Sequence, residues 1–204
     1  MNPLRRELEI VAEWVEPGSR VLDLGCGDGT LLQYLIERKG VTAYGLEHDP
    51  RKVTGCMARG VNVVRADLDD GLSDFHRDSF DHVIMSQTIQ AVRYPDKLLE
   101  DMLRVAHHGI VTFPNIGYWR LRVQLLLQGR MPRSPALPNA WYNSPNIHLC
   151  TVRDFERLCA SMGVQIRERR LLDRAHRSTP VIDLAPNLLG EIAIYRFVRG
   201  SESL

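Results

Sequence analysis

Val21-Leu22-Asp23-Leu24-Gly25-Cys26-Gly27-Asp28-Gly29 reads as an apolar strand that breaks into a turn with three alternating glycines and then opens a helix. Glycine reaches backbone angles closed to other residues and lets a ligand approach the main chain. A nucleotide-like group lying across the carboxyl end of a parallel sheet needs such a turn. A dinucleotide fingerprint runs G-x-G-x-x-G, yet counting from Gly25 puts Thr30 where its third glycine belongs. Asp23 and Asp28 also sit in the stretch, and carboxylates repel a pyrophosphate. The loop therefore suits a ligand whose near end is cationic or hydroxylated.

S-adenosylmethionine, with its ammonium, sulfonium and ribose, fits that description. The pattern D-x-G-x-G-x-G from Asp23 to Gly29 resembles the first motif of the class I S-adenosylmethionine-dependent methyltransferases. The resemblance implies that Asp23, Gly25, Cys26, Gly27 and Gly29 line a site for S-adenosylmethionine or S-adenosylhomocysteine. A plain glycine-rich strand-to-helix turn shares these residues, so the neighbouring segments must decide between the two.

At 204 residues the chain suits a single domain, residues 1–204, with a full core. Its 44% hydrophobic and 25% charged content are those of a globular protein. A net charge of +1 creates no global field toward nucleic acid or anionic membrane. Met1 to Val15 reads as an amphipathic helix rather than a signal peptide. No apolar run approaches the roughly 20 residues a membrane helix needs. Cys26, Cys56, Cys150 and Cys159 form no C-x-x-C pair and read as reduced thiols of a cytoplasmic protein. In Cys26, a small side chain inside the tight turn, packing is expected rather than redox chemistry.

Strand and helix signals alternate, which indicates an α/β fold with a parallel sheet covered on both faces. Leu31, Leu32, Leu35 and Ile36 mark one face of a helix that Gly40 can end. Strands are expected at Thr42–Leu46, Val61–Arg65, Phe80–Met85 and Ile110–Phe113. Asp49-Pro50 reads as an N-cap followed by proline at the first helical position. Leu98, Leu99, Met102, Leu103 and Ala106 mark another helix, and Thr151 to Asp154 a capping box. Val164–Leu172 and Glu191–Val198 read as two last strands with no helix between them, a closing pair that includes an antiparallel strand. The whole resembles the doubly wound, Rossmann-like, seven-stranded methyltransferase sheet.

In such a sheet ligand contacts recur just after each strand. Glu47, followed by His48, ends the second strand about 20 residues beyond the loop, where an acid can hold ribose hydroxyls. A solvated strand-end acid is the plainer alternative. Asp67 and Leu68 follow the third strand, the position that methyltransferases use for adenine; an acidic surface turn through Asp70 explains them equally. Ser86 and Gln87 follow the fourth strand, where methyl donor and acceptor would meet. The Asn/Asp-Pro-Pro-aromatic motif of base-amine methylation is missing there, and nothing in the stretch supplies a metal ligand.

Pro114 to Cys150 exceeds what the minimal fold needs. It holds Pro114, Pro132, Pro135, Pro138 and Pro145, and Trp119 and Trp141 each lie beside a tyrosine, Tyr118 and Tyr142. Flexible linkers are poor in aromatics, whereas recognition surfaces are rich in Trp, Tyr and Arg. Residues 114–150 are therefore expected to be an ordered lid or docking insertion, with an amphipathic helix over Tyr118–Gln128. Ser86-Gln87-Thr88-Ile89-Gln90-Ala91-Val92, Phe113-Pro114-Asn115-Ile116-Gly117-Tyr118-Trp119 and Trp141-Tyr142-Asn143-Ser144-Pro145-Asn146-Ile147-His148-Leu149-Cys150-Thr151 together resemble the MetW family of methionine-biosynthesis proteins. The resemblance spans nearly the whole chain. It implies a cytoplasmic bacterial protein that works with a MetX-type homoserine O-acyltransferase and keeps the methyltransferase fold. Gln87, Tyr118, Trp119, Trp141, Tyr142, Asn146 and His148 are the residues expected to face a substrate or that partner.

Tyr142 and His148 are the candidates for a general base or hydrogen-bond donor; anchoring the insertion or a partner would use them equally well. His82, inside an apolar strand, reads as a satisfied core histidine, and His107 and His108 as a helix-end pair. Arg167, Arg169, Arg170, Arg174 and Arg177 read as a solvated strand edge or a docking face for an acidic partner. No G-x-S-x-G elbow supports acyl transfer by this chain itself. Two functions follow: a cofactor-binding accessory or regulatory subunit of homoserine acylation, or a methyltransferase acting on a small molecule.

Overall fold

The computed structural model describes residues 4–200. The start of the helix expected over Met1–Val15 lies partly outside the described residues; the helix observed, α1, spans Arg6–Trp14. The chain then alternates: β1 (Arg20–Leu24), α2 (Thr30–Lys39), β2 (Thr42–Glu47), α3 (Pro50–Ala58), β3 (Asn62–Arg65), β4 (Phe80–Ser86), α4 (Pro95–Val105) and β5 (Ala106–Pro114). Next come α5 (Trp119–Gln128), α6 (Val152–Ser161), β6 (Gln165–Leu172), α7 (Pro180–Leu184), α8 (Pro186–Leu189) and β7 (Ile192–Val198).

The seven strands lie in the order β3-β2-β1-β4-β5-β7-β6. All neighbours are parallel except β7, which runs antiparallel to both β5 and β6. The expected mostly parallel sheet with one reversed strand is thus observed. From β1 the chain winds outward through β2 and β3, then returns to lay β4 on the other side of β1. That reversal opens a crevice beyond the carboxyl ends of β1 and β4, the place where such sheets take ligands.

Alternation along each strand divides the core. Leu22, Leu24, Val83, Met85, Val111 and Phe113 face α4 and α6, while Val21, Ile84 and Ile110 face α1 and α2. These are near-continuous apolar runs because both faces of the parallel strands are covered. Local signals behave as their chemistry dictates. Gly40 ends α2 at φ +62°, Asp49 Oδ1 accepts from Arg51 N at 2.8 Å, and Thr151 and Asp154 form the reciprocal capping box.

Two expectations are corrected. His107 and His108 lie inside β5 rather than at a helix end, because α4 stops at Val105 and Ala106 is already extended. Pairing of His108 with His82 of β4 and Val198 of β7 draws the strand out to them. The second concerns β6 and β7, which are separated by α7 and α8, each begun by a proline and too short to show a helical period. His82 is only half satisfied as a core histidine. Its Nε2 meets Glu16 across the ring edge while Nδ1 is buried without a partner. The arginine cluster lies on and just beyond edge strand β6, with Arg169 paired to Glu156 at 2.9 Å and Arg177 to Asp173 at 3.2 Å.

Candidate functional site

The crevice at the ends of β1 and β4 is built from the glycine loop upward. Gly25, Gly27 and Gly29 all have positive φ (+72°, +61° and +79°), which lets the chain turn from β1 into α2 within five residues. Their surroundings differ. A Cβ on Gly25 would lie 2.6 Å from Thr88 Oγ1, and one on Gly29 3.1 Å from Cys56 Sγ, whereas one on Gly27 would meet nothing within 4 Å. Gly27 is thus the open point of the loop. Cys26 turns inward against Gly45 and sits 3.7 Å from Cys56 Sγ, and burial pushes its thiol pKa up, so its role in the loop is packing.

Asp23 lies in β1, two residues before the loop. It is 3% exposed, and its Oδ1 is buried with no hydrogen-bond partner. Burial, and then the nearby Glu47 carboxylate, push its pKa up to about 7. A buried acceptor without a donor is costly, and a cationic ligand group would relieve both the missing bond and the raised pKa. Glu47, at the end of β2, is held by three backbone donors: Gly27 N to Oε2 at 2.9 Å, and His48 N and Asp49 N to Oε1 at 3.0 and 2.9 Å. Oε2 therefore keeps acceptor capacity for a hydroxyl. His48 projects outward, with its carbonyl accepting from Arg65 Nε at 3.3 Å.

Further along the edge, Asp67 is exposed and caps a short 3-10 turn by accepting from Asp69 N at 3.0 Å, while Leu68 packs on the core. Ser86 pairs with Thr112 Oγ1 at 3.1 Å. Gln87 is a non-glycine residue at φ +55°, a costly conformation held here by its N–H bonds to Thr112 O and Oγ1 at 2.9 and 3.1 Å. Such strain clusters at functional sites, and Gln87 is the first residue after β4.

The residues expected to face a substrate or partner do not form one cluster. Gln87 belongs to the crevice, and His148 reaches its neighbourhood because the N–H groups of Ile147 and His148 both donate to Gln90 O, at 2.9 and 3.0 Å. There His148 and Gln90 line a small cavity of about 110 Å³ with Ile89, Cys150 and Phe155. Tyr118 is instead buried in a separate small core with Leu121 and Leu137. Trp119, Trp141 and Tyr142 are exposed, and Asn146 is half-buried beside Trp141. The Tyr142 ring stands edge-on to Trp141, open to solvent, a poor setting for a general base.

Three residues that sequence reasoning did not single out shape this region. Thr88 presses on Gly25. Gln90 is buried, holds the Gln87 carbonyl through Nε2 at 2.9 Å, and leaves Oε1 unpartnered. Asn115, fully buried, donates to Gly190 O at 2.7 Å and Asn187 O at 3.2 Å, and accepts from Gly117 N and Val152 N at 2.9 and 3.2 Å. It ties both ends of the 114–150 segment to the β7 edge. Its only sequence signal is a polar residue directly after a buried strand.

Comparison with known structures agrees with this geometry at the level of the fold. A Thermotoga maritima protein described as an S-adenosylmethionine-dependent methyltransferase, possible histamine N-methyltransferase, superposes with a TM-score of 0.65 at 17% identity, over 95% of this chain and 87% of that one. The [4+2]-cyclase SpnF superposes at 0.66 with 16% identity, over 96% and 81%. One architecture thus serves proteins of different named chemistry, so the fold alone does not assign a reaction. In sequence, the bifunctional methionine biosynthesis protein MetXA/MetW of Rhodopirellula baltica is 36% identical over 202 residues, 94% of this chain but only 32% of that protein's length. The family model for methionine biosynthesis protein MetW matches residues 5–197. With the loop, the 114–150 segment and all of the sheet but Val198 inside that match, the chain belongs to the MetW family of methionine-biosynthesis proteins.

Proposed function

We propose that this protein binds S-adenosylmethionine at the glycine loop and acts in the cytoplasm as an accessory or regulatory subunit of a MetX-type homoserine O-acyltransferase. The observation that carries the binding half is the buried Asp23, whose Oδ1 has no hydrogen-bond partner, in the strand that runs into the glycine loop with its open Gly27. Asp23 would meet the cationic amino-acid end of the ligand and Glu47 Oε2 a ribose hydroxyl, with Leu68 beside the adenine. S-adenosylmethionine supplies a methyl group or, as an end product of methionine, a signal. The accessory half rests on family membership and on the fused MetXA/MetW relative. Feedback by the ligand requires that it bind one functional state better than another.

The test is homoserine acylation by the purified acyltransferase, with and without this protein, across S-adenosylmethionine concentrations. Stimulation that varies with the ligand is expected. No stimulation removes the accessory role, and a flat ligand response removes the sensor.

A second reading, methyl transfer to a small molecule, draws on Gln87 and on the His148–Gln90 cavity at the exit of β4. Methyl transfer from a sulfonium proceeds largely through alignment of the reacting groups, so it needs no base beyond these side chains. Formation of S-adenosylhomocysteine in a metabolite extract would support it, and its absence despite measured binding would exclude it.

A further inference from the structure

Residues 114–150 contain no Asp or Glu, although the chain has 25 such residues, and they carry Arg120, Arg122, Arg130 and Arg133. Within this acid-free stretch α5 buries only Leu121. Leu126 and Leu127 are 82% and 77% exposed, and Trp141 is 76% exposed. A sequence of this apolar content is expected to lay a full face on the core; α5 instead directs most of its apolar side chains away from it. Gln124 exchanges hydrogen bonds with the Arg133 backbone at 3.1 and 3.2 Å, and Leu121 packs on Leu137, contacts that fasten the following loop to α5. Between Met131, Leu137, Trp141 and Leu149 lies a groove of about 100 Å³, room for one apolar side chain.

The arginines divide into two kinds. Arg122 is spent on Gly117 O at 2.5 Å and Arg133 on Pro138 O at 2.9 Å, both structural. Arg120 and Arg130 have no carboxylate partner among the described residues; Arg120 lies 5.2 Å from the Trp119 ring centroid. An apolar surface that carries two guanidinium groups with no carboxylate partner is complementary to an apolar protein surface that carries carboxylates.

Resting on the accessory-subunit reading above, we propose that α5 and the loop folded against it are the surface on which the acyltransferase docks. An apolar side chain of the acyltransferase fills the groove beside Trp141, and its carboxylates face Arg120 and Arg130. A second copy of this chain fits less well, since a two-fold contact would set arginines against arginines with no acid in the segment to answer them. An anionic membrane also fits less well. Most of the surface beyond α5 is irregular, proline-rich backbone whose polar groups lipid would leave unpaired.

The test is the affinity of the full-length chain for the acyltransferase from the same organism, measured by biolayer interferometry with thermal melts of every variant. L126D/L127D and W141A are each expected to weaken binding about tenfold or more, as loss of a central apolar anchor does. M57D, on the exposed face of α3, is expected to leave binding unchanged. R120E/R130E is expected to slow association and flatten its salt dependence. Unchanged affinity in both L126D/L127D and W141A overturns the surface while leaving the accessory role standing. Absence of binding by the unsubstituted chain overturns both. Loss of self-association or of anionic-vesicle binding in L126D/L127D, with acyltransferase affinity intact, assigns the face to another occupant and overturns the proposal.

Discussion

The backbone N–H of Gly27 donates to Glu47 Oε2 at 2.9 Å, fastening the turn after β1 to the end of β2. The bond sets the shape of the loop and points one carboxylate oxygen along its open side. Glu47→Gln puts an amide N–H₂ or a neutral oxygen where Gly27 needs an anionic acceptor. A charge-assisted hydrogen bond is worth about 1.5–3 kcal/mol, so S-adenosylmethionine affinity is expected to fall by roughly 10- to 100-fold. Isothermal titration at constant pH measures this.

Gly25 and Gly27 separate the two uses of glycine. Both have positive φ, so alanine at either costs on the order of 1 kcal/mol in backbone strain. At Gly25 the added methyl also runs into Thr88, while at Gly27 it enters open space. Urea unfolding is expected to show Gly25→Ala as the more destabilised of the two. The Thr88→Ala background should recover the steric part of that loss and leave the strain, a coupling that a double-mutant cycle reads directly. Gly27→Ala is expected to fold and to lose ligand affinity instead.

Asp23 makes stability and binding respond to pH in opposite senses. Its folded pKa of about 7 lies well above that of an exposed aspartate, so the folded chain keeps a proton that the unfolded chain releases near pH 4. Stability from this group is full below pH 4 and falls as pH rises toward 7. Asp23→Asn removes the fall and is expected to be more stable than the parent at pH 8 by roughly 2–4 kcal/mol. His82 acts the other way. Burial lowers its pKa, so its contribution is present above about pH 6.5 and lost as pH falls. The difference between parent and Asp23→Asn melts isolates the aspartate.

Asn115 makes four hydrogen bonds from a fully buried position. Asn115→Ala leaves buried Gly190 and Val152 backbone groups unpaired, at an expected cost of about 3 kcal/mol. For a chain of this length that lowers the melting temperature by about 6–12 °C. Limited proteolysis should then cut first within residues 114–150, whose two ends Asn115 secures.

Much of the frame was legible because local chemistry settled it. The strand–glycine turn at Val21–Gly29, the Asp49-Pro50 cap and the Thr151–Asp154 box each carry their own hydrogen-bonding logic, and the structure shows them as read. His107 and His108 were not legible, because their strand conformation comes from pairing with β4 and β7, both remote in sequence. Helices α7 and α8, of five and four residues, are too short to repeat the 3.6-residue period that would reveal them. Leu125 to Leu127 carry a helix signal but nothing local that says they stay outside. Asp23 and Glu47 could be placed near the carboxyl ends of β1 and β2 from their spacing along the chain. Gln90 and Asn115 are polar residues whose importance lies in partners up to 75 residues away.

Titration of S-adenosylmethionine into the purified chain by calorimetry at pH 6.0 and 7.5 tests the central claim most directly. The Asp23→Asn chain, titrated at the same two pH values, serves as the control for titration of the ligand's own amino group. Binding of one ligand per chain is expected, about tenfold tighter at the higher pH as Asp23 ionises, with that difference abolished in Asp23→Asn. No binding at millimolar ligand, or equal binding by the parent, Asp23→Asn and Glu47→Gln, would contradict the account.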